Sequence, residues 1–202
     1  MADLHDSARQ GIEGWVLSGG QGSRMGGADK GLISWQGLPL AWHVAQRLEP
    51  QVCQVRVNAN RHLSQYAAWP WRPRPDDADL PQAFGPLAGM LTGLRHTQSE
   101  WLLTVPCDTP KLPGDLAIRL LAQAQVAGAD IAVPMTQAEG ESAARHHWTC
   151  ALIRRSLLPT LEAAVGRGEP RVRDWITQQR WTGVSFRAVD AFQNFNHIGD
   201  LA

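Results

Sequence analysis

The 202-residue chain lacks several features that would each indicate a particular class of protein. Its three cysteines, Cys53, Cys107 and Cys150, lie far apart and form no CxxC pair, so neither a disulfide framework nor a zinc ribbon is indicated and a reducing cytoplasm is expected. No apolar run approaches the length of a membrane span, and residues 1–11 contain no apolar segment typical of a signal peptide. The 19 basic and 19 acidic side chains balance, which argues against nucleic-acid and membrane binding.

What the chain does contain is an alternation of strand-like and helix-like segments. Hydrophobic residues make up 44% of the sequence, enough for a globular core. Short apolar runs predict strands over residues 14–17, 52–58, 101–105, 131–134, 149–153 and 185–189. Apolar residues at helical spacing predict helices over residues 40–49, 85–96, 116–128 and 156–166, the third of them capped by Asp115. The proline-rich stretch from Trp69 predicts extended or irregular chain.

This alternation predicts a three-layer, Rossmann-like α/β fold, in which helices cover both faces of a mainly parallel sheet. The sequence shows no internal repeat and no linker long enough to divide it. We therefore expect residues 1–11 to form a disordered leader and residues 12–202 to form a single domain.

The segment GWVLSGGQGSRMGGADKGL, residues 14–32, carries six glycines after its first strand-like run. Clustered backbone amides at the carboxyl end of a strand form an anion site, and Arg24 and Lys30 add charge that complements phosphates. A Walker loop does not fit, because Ala28 stands at the lysine position, and a dinucleotide fingerprint does not fit, because Met25 replaces its third glycine. The segment predicts a nucleotide phosphate loop, with a solvated surface loop as the alternative.

The order of short motifs resembles a known family. LSGGQGSRMGGADK, residues 17–30, is similar to the signature of nucleotidyltransferases that use NTPs. MGGADKGL, VNAN (57–60), GPLAG (85–89), PCDTP (106–110) and NFN (194–196) resemble stretches of the molybdenum cofactor guanylyltransferase family, often called MobA. The matches run in order from residue 14 to the end of the chain. Ser18 departs from the family, which usually has alanine there.

The resemblance implies that residues 12–202 form a nucleotidyltransferase domain. It implies transfer of GMP from GTP to molybdenum-molybdopterin with Mg²⁺, giving the guanine dinucleotide form of the cofactor and pyrophosphate. Other proteins of molybdenum cofactor biosynthesis, and a molybdoenzyme or its chaperone, are the expected partners. Two alternatives stay open: a sibling transferase that uses CTP or another acceptor, and a non-enzymatic nucleotide-binding or cofactor chaperone module.

The resemblance also implies roles for particular residues. Asp108 follows a predicted strand, where a carboxylate is well placed to bind Mg²⁺, and it is expected to act in catalysis with Arg24 and Lys30. The expected nucleotide-binding residues are Leu17, Ser18, Gly19, Gly20, Gly22, Lys30, Asn58, Asp76 and Asp108.

Some assignments depend on weaker sequence signals. Asp76 and Asp77 compete for one nucleotide contact, and Asp76 is preferred. Asn196 is a further candidate for the metal, with capping of the chain terminus as the alternative. A zinc site at the adjacent histidines is not indicated, because two adjacent histidines point apart and no fourth ligand is suitably spaced. His147 is instead interpreted as shaping the pocket of the second substrate.

Overall fold

The computed structural model describes residues 9–19, 29–80, 84–168 and 171–195. The strands are β1 (Ile12–Leu17), β2 (Ser34–Trp35), β3 (Leu38–Pro39), β4 (Gln54–Asn58), β5 (Pro73–Arg74), β6 (Trp101–Pro106), β7 (Ile131–Thr136), β8 (Arg145–His146), β9 (Ala151–Arg154) and β10 (Trp181–Phe186). The helices are α1 (Leu40–Leu48), α2 (Leu63–Tyr66), α3 (Pro86–His96), α4 (Leu116–Ala127), α5 (Leu158–Gly166) and α6 (Val172–Ile176).

One sheet organises the chain, with strand order β10-β7-β9-β6-β1-β4-β5 and β8 paired to β7. The pairs of β1 with β4 and β6, of β4 with β5, and of β7 with β10 are parallel. β9 runs antiparallel between β6 and β7. β2 and β3 form a separate antiparallel hairpin. The prediction of a mainly parallel sheet is confirmed.

Helices cover both faces of this sheet, so the predicted three layers are confirmed. Successive side chains of a strand point to opposite faces, and the buried residues of β1 and β6 divide accordingly. Val16 and Leu103 pack with α1 and α4 on one face. Trp15 and Leu102 pack with α3, α5 and α6 on the other. Each face therefore has its own apolar layer.

The last predicted strand was wrong in its position. It was expected over residues 185–189, but β10 begins at Trp181 and ends at Phe186, with a short 3₁₀ turn over Val189–Phe192. The register explains the shift, because Trp181 pairs with Ile131 and Phe186 with Thr136 along the whole length of β7. Pairing with a neighbouring strand, which sequence patterns do not contain, set the bounds.

Other local predictions are partly confirmed and partly wrong. The proline-rich stretch agrees with its prediction of extended or irregular chain, because Pro73 and Arg74 form the short strand β5 at the sheet edge, where a missing amide donor is tolerated. Asp115 precedes α4, but its side chain makes no capping hydrogen bond. Its carboxylate instead lies 3.5 Å from Arg119, one turn along the helix. The short helix α6 was not predicted.

The start of the described chain contacts the sheet. Of residues 1–11, expected as a leader, Arg9 donates from Nε to the carbonyl of Val52 at 2.9 Å, and Gly11 accepts from the amide of Trp101 at 3.0 Å. Residues 9–11 therefore belong to the folded part, whereas residues 1–8 lie outside the described ranges. In the parts of the chain that the structure describes, no helix has the length and apolar character to cross a membrane.

Candidate active site

The site forms where three neighbouring strands end. Leu17 pairs with Asn58 of β4 and with Pro106 of β6, so the carboxyl ends of β1, β4 and β6 meet at one edge of the sheet. A cavity opens at this edge. Six of the predicted residues line it: Leu17, Ser18, Gly19, Lys30, Asn58 and Asp108. The topology therefore brings together residues that are up to 91 positions apart in the chain (108 − 17 = 91).

Asp108 lines this cavity and is buried, with 8% of its surface exposed. Its Oδ2 accepts a hydrogen bond from Lys30 Nζ at 2.5 Å. Its Oδ1 is buried without a hydrogen-bond partner in the described chain. The backbone of Asp108 is also held, because its carbonyl accepts from the amide of Phe195 at 2.9 Å. The carboxylate is thus fixed in place with one oxygen left to bind a ligand.

This carboxylate fits a hard cation. Mg²⁺ is usually held by one or two carboxylates together with phosphate oxygens and water, and does not require an all-protein cage. Among the residues described, no group of three or more His, Cys, Asp or Glu side chains could hold a metal ion. The role of Asp108 as a Mg²⁺ ligand stays a prediction.

Cys107, beside Asp108, is not a nucleophile in this arrangement. Burial, with a contribution from the Asp108 charge, raises the pKa of its thiol to about 12. The thiol is therefore protonated at neutral pH, and the thiolate is the reactive form. Its backbone amide donates to the carbonyl of Leu17 at 3.1 Å, which joins the ends of β6 and β1.

The structure places Asp76 and Asp77, the two candidates for one nucleotide contact, in different surroundings. Asn58 Nδ2 donates to Asp76 Oδ1 at 2.9 Å and to the carbonyl of Arg74 at 3.1 Å, so Asp76 lies beside the cavity. Asp77 lies 2.8 Å from His96 and 3.2 Å from Arg95 on α3. Partial burial opposes ionisation of Asp77, but hydrogen bonds from His96 and Arg95 hold its pKa below the ordinary value. Asp77 is thus committed to a structural ion network.

Glycine at the end of the GPLAG motif lets α3 approach the cavity. A Cβ atom on Gly89 would lie 2.3 Å from Asn58 Oδ1 and 2.8 Å from Leu17 Cδ2. Real Cβ atoms do not approach other heavy atoms so closely, so any side chain here would displace Asn58 or Leu17. Gly85, at the start of the motif, has a φ of +50°, and Pro86 then opens the helix. The motif therefore positions a helix against the site.

A second cavity adjoins the first and shares Pro106 and Thr149 with it. Its other walls include Arg145, His146, His147, Trp148, Phe192 and Asn194. Sequence patterns gave no signal for Trp148, which stacks on His146 with ring centres 4.9 Å apart.

His147 has a structural role at the wall of the second cavity. Its ring stacks on Phe192 at 4.6 Å, and its Nε2 hydrogen-bonds Thr136 Oγ1 at 2.9 Å. Burial, aided by Arg145 and His146, lowers the pKa of His147 to about 4, so the ring is neutral near pH 7. The adjacent His146 ring instead packs on Trp148 and Trp181, so the two histidines face different neighbours.

Four of the predicted site residues lie outside the described ranges: Gly20, Gly22, Arg24 and Asn196. Their roles stay predictions. The residues missed by sequence reasoning include Asp29 and Tyr66, which are hydrogen-bonded beneath the turn that carries Lys30. Only the position of Asp29 directly before Lys30 could have pointed to this arrangement.

Known proteins are similar to this chain over most of its length. The family model described as "MobA-like NTP transferase domain" matches residues 14–182. The chain is 42% identical to the molybdenum cofactor guanylyltransferase of Acidovorax ebreus, over 100% of this chain and 96% of that protein. It is 42% identical to that of Bordetella petrii, over 94% and 95% of the two chains.

Solved structures share the fold at low sequence identity. Molybdopterin-guanine dinucleotide biosynthesis protein A from Archaeoglobus fulgidus superposes with a TM-score of 0.74 at 19% identity, covering 94% of both chains. The 4-diphosphocytidyl-2C-methyl-D-erythritol synthase of Anaerococcus prevotii superposes with a TM-score of 0.72 at 10% identity, covering 95% of both. The fold and the family match are those of a nucleotidyltransferase. Within that class, the chain belongs to the molybdenum cofactor guanylyltransferase (MobA) family.

Proposed function

We propose that this protein transfers GMP from GTP to the terminal phosphate of molybdenum-molybdopterin in a Mg²⁺-dependent reaction that releases pyrophosphate. The observation that carries the proposal is the cavity at the carboxyl ends of β1, β4 and β6, with Lys30 and Asp108 in its wall. The relatives named for this activity match nearly the whole chain, which supports the same assignment.

The reaction joins two anionic partners, so charge neutralisation and positioning are the main requirements. The acceptor phosphate is already a nucleophile, and no general base is needed. Lys30 supplies a positive charge at the edge where the triphosphate would lie, and Asp108 supplies the free carboxylate oxygen. When bound at Asp108, Mg²⁺ would neutralise charge on the phosphate oxygens. Arg24 is proposed to add a further charge.

Guanine recognition is assigned to the other side of the same cavity. Leu17, Ser18 and Gly19 line it at the end of β1, and backbone groups of this segment are proposed to contact the base. Asn58 is buried and held by Asp76, which fixes the orientation of its amide. Fixed polar groups of this kind discriminate between bases, because a mismatched base leaves them unpaired.

The direct test is an assay of the purified chain with GTP, MgCl₂ and molybdenum-molybdopterin. We expect pyrophosphate release that requires both the metal and the acceptor, together with a product heavier by one GMP. Nucleotide binding without turnover would favour the alternative of a cofactor chaperone. Turnover with CTP in place of GTP would favour the sibling transferase. A cytoplasmic location and delivery to a molybdoenzyme or its chaperone are further parts of the proposal.

Replacing Lys30 with methionine is expected to weaken GTP binding by roughly tenfold to a hundredfold, since a hydrogen bond to a charged group contributes roughly 1.5–3 kcal/mol. Methionine keeps much of the side-chain length and removes the charge. Isothermal titration of GTP into each variant measures the effect. The only other lysine of the chain, Lys111, is the matched control, because its Nζ lies over the ring of Phe195 and not in the cavity wall. Equal affinities of Lys30→Met and Lys111→Met would contradict the role of Lys30.

The acceptor is assigned to the second cavity, because its shared wall at Pro106 and Thr149 places it next to the nucleotide. Trp148→Ala is expected to raise the KM for the acceptor by about tenfold, since an aromatic contact contributes roughly 0.5–1.5 kcal/mol beyond its buried area. The KM for GTP should change little. Trp42→Ala is the control, because Trp42 packs edge-on against Trp69 and Trp71 on the α1 face. A larger effect on GTP than on the acceptor would reject this assignment.

A further inference from the structure

A buried tyrosine connects the two sides of the proposed phosphate site. Tyr66, at the end of α2, has no exposed surface, and its hydroxyl reaches two polar side chains. It lies 2.7 Å from Ser18 Oγ, directly after β1, and 2.8 Å from Asp29 Oδ1, directly before Lys30. Ser18 and Asp29 are themselves buried, with 4% and 7% of their surfaces exposed.

The direction of these hydrogen bonds follows from the chemistry of the groups. An ionised carboxylate can only accept, so the Tyr66 hydroxyl donates to Asp29. The single proton of Tyr66 is then used, and Ser18 must donate to the Tyr66 oxygen. Burial raises the pKa of Tyr66 above its usual value, so the hydroxyl keeps this proton throughout the physiological range. The chain of bonds thus has one fixed direction, from Ser18 through Tyr66 to Asp29.

Asp29 links Tyr66 to the turn that carries Lys30. The same carboxylate oxygen, Oδ1, accepts from the backbone amide of Gly31 at 3.1 Å and so caps the short 3₁₀ turn Lys30–Leu32. The packing around the turn is tight, because a Cβ atom on Gly31 would lie 1.9 Å from Ser18 Oγ and 2.5 Å from Tyr66 Oη. The backbone from which Lys30 extends is therefore held against the end of β1.

We propose that Tyr66 is a positioning residue of the nucleotide site, which holds Lys30 at the triphosphate through Asp29 without touching the substrate itself. This inference rests on the proposed function, since it requires that Lys30 binds the nucleotide. It assigns a role to α2, a short helix that contributes no side chain to the cavity walls described above.

A double-mutant cycle on the full chain tests the proposal, with the dissociation constant of GTP measured by isothermal titration. Tyr66→Phe removes one oxygen and is expected to weaken GTP binding by about tenfold, through loss of the hydrogen bonds that fix the Lys30 turn. In a Lys30→Met background, the same change should alter the dissociation constant of GTP by no more than about twofold. This is the scatter within which the effects of independent mutations usually add. Such non-additivity is not expected of a residue that only stabilises the fold.

Thr97→Val is the matched control, because it also removes a buried hydroxyl with two hydrogen bonds, to Glu13 and Ser99, away from the cavity. It should lower the melting temperature without changing GTP affinity. If Tyr66→Phe yields too little folded protein, Asp29→Asn weakens the same connection and should show the same non-additivity with Lys30→Met. Full additivity in the cycle would overturn the role of Tyr66 while leaving the proposed function intact. Failure of the unmodified protein to bind GTP would overturn both.

Discussion

Asp108→Asn is expected to lower kcat by a factor on the order of a thousand, comparable to or above the loss of one preorganised electrostatic group in other enzymes. The substitution keeps the size of the side chain and the backbone bond from Phe195 to Asp108. It removes the negative charge that would hold Mg²⁺, and it weakens the contact with Lys30 Nζ. The loss should therefore appear in the chemical step. Raising the MgCl₂ concentration should restore little of it.

Asp130→Asn provides the comparison, because Asp130 is as buried as Asp108, with 8% of its surface exposed. Asp130 precedes β7 and pairs with Arg180 at 2.7 Å, far from the carboxyl ends of the strands. This variant should melt at a lower temperature and keep its kcat. Pyrophosphate release under saturating substrates measures both variants. A folded Asp108→Asn protein with nearly normal kcat would remove Asp108 from the reaction.

GTP is expected to be used with a kcat/KM at least about a hundredfold higher than that of ATP or CTP. Guanine offers an acceptor at O6 and donors at N1 and N2, whereas adenine reverses the polarity of the first two and cytosine is too small to fill a purine pocket. Each buried polar group left unpaired costs roughly 1–3 kcal/mol, so two mismatches account for discrimination of this size.

The comparison uses one acceptor and the three nucleotides at equal free Mg²⁺. Asn58→Ala should reduce the preference for GTP over ATP, because it removes a buried amide held by Asp76 beside the cavity. Asp77→Asn should leave the preference unchanged, since Asp77 is engaged by Arg95 and His96 on α3. A preference for CTP would assign the chain to the sibling transferase reaction. Turnover with none of the three would favour the binding module.

The three layers, and the strand ends that bring six of the predicted site residues into one cavity, could be predicted from the sequence because both depend on local patterns. Apolar runs marked the strands, and residues at or just after the strand ends carry recognisable chemistry, as Asn58 at the end of β4 and Asp108 after β6 illustrate. Parallel neighbours bring such ends together whatever lies between them in the chain. The choice of Asp76 over Asp77 could not be decided in this way. It depends on which carboxylate Asn58 reaches and which one α3 neutralises.

Features that depend on contacts between segments far apart in the chain could not be predicted from the sequence. The bounds of β10 follow from its register on β7, and the antiparallel direction of β9 is seen only in its pairing with β6 and β7. Tyr66 had no signal either, because its partners Ser18 and Asp29 are 48 and 37 residues away. The sequence around a lone tyrosine does not reveal a buried hydrogen bond of this kind.

The reversed direction of β9 has a consequence for how such a protein can evolve. Because β9 runs against β6, its amino end reaches the edge where the first cavity lies, and the preceding segment, residues 145–150, forms much of the second cavity. The nucleotide side is built largely from residues 17–108 and the neighbouring side largely from residues 145–194. Residues 145–150 lie outside the strand pairings of β1, β4 and β6, so substitutions there leave the register of these strands in place. A duplicated gene could therefore acquire a new acceptor by drift in one half while selection preserves the nucleotide side in the other.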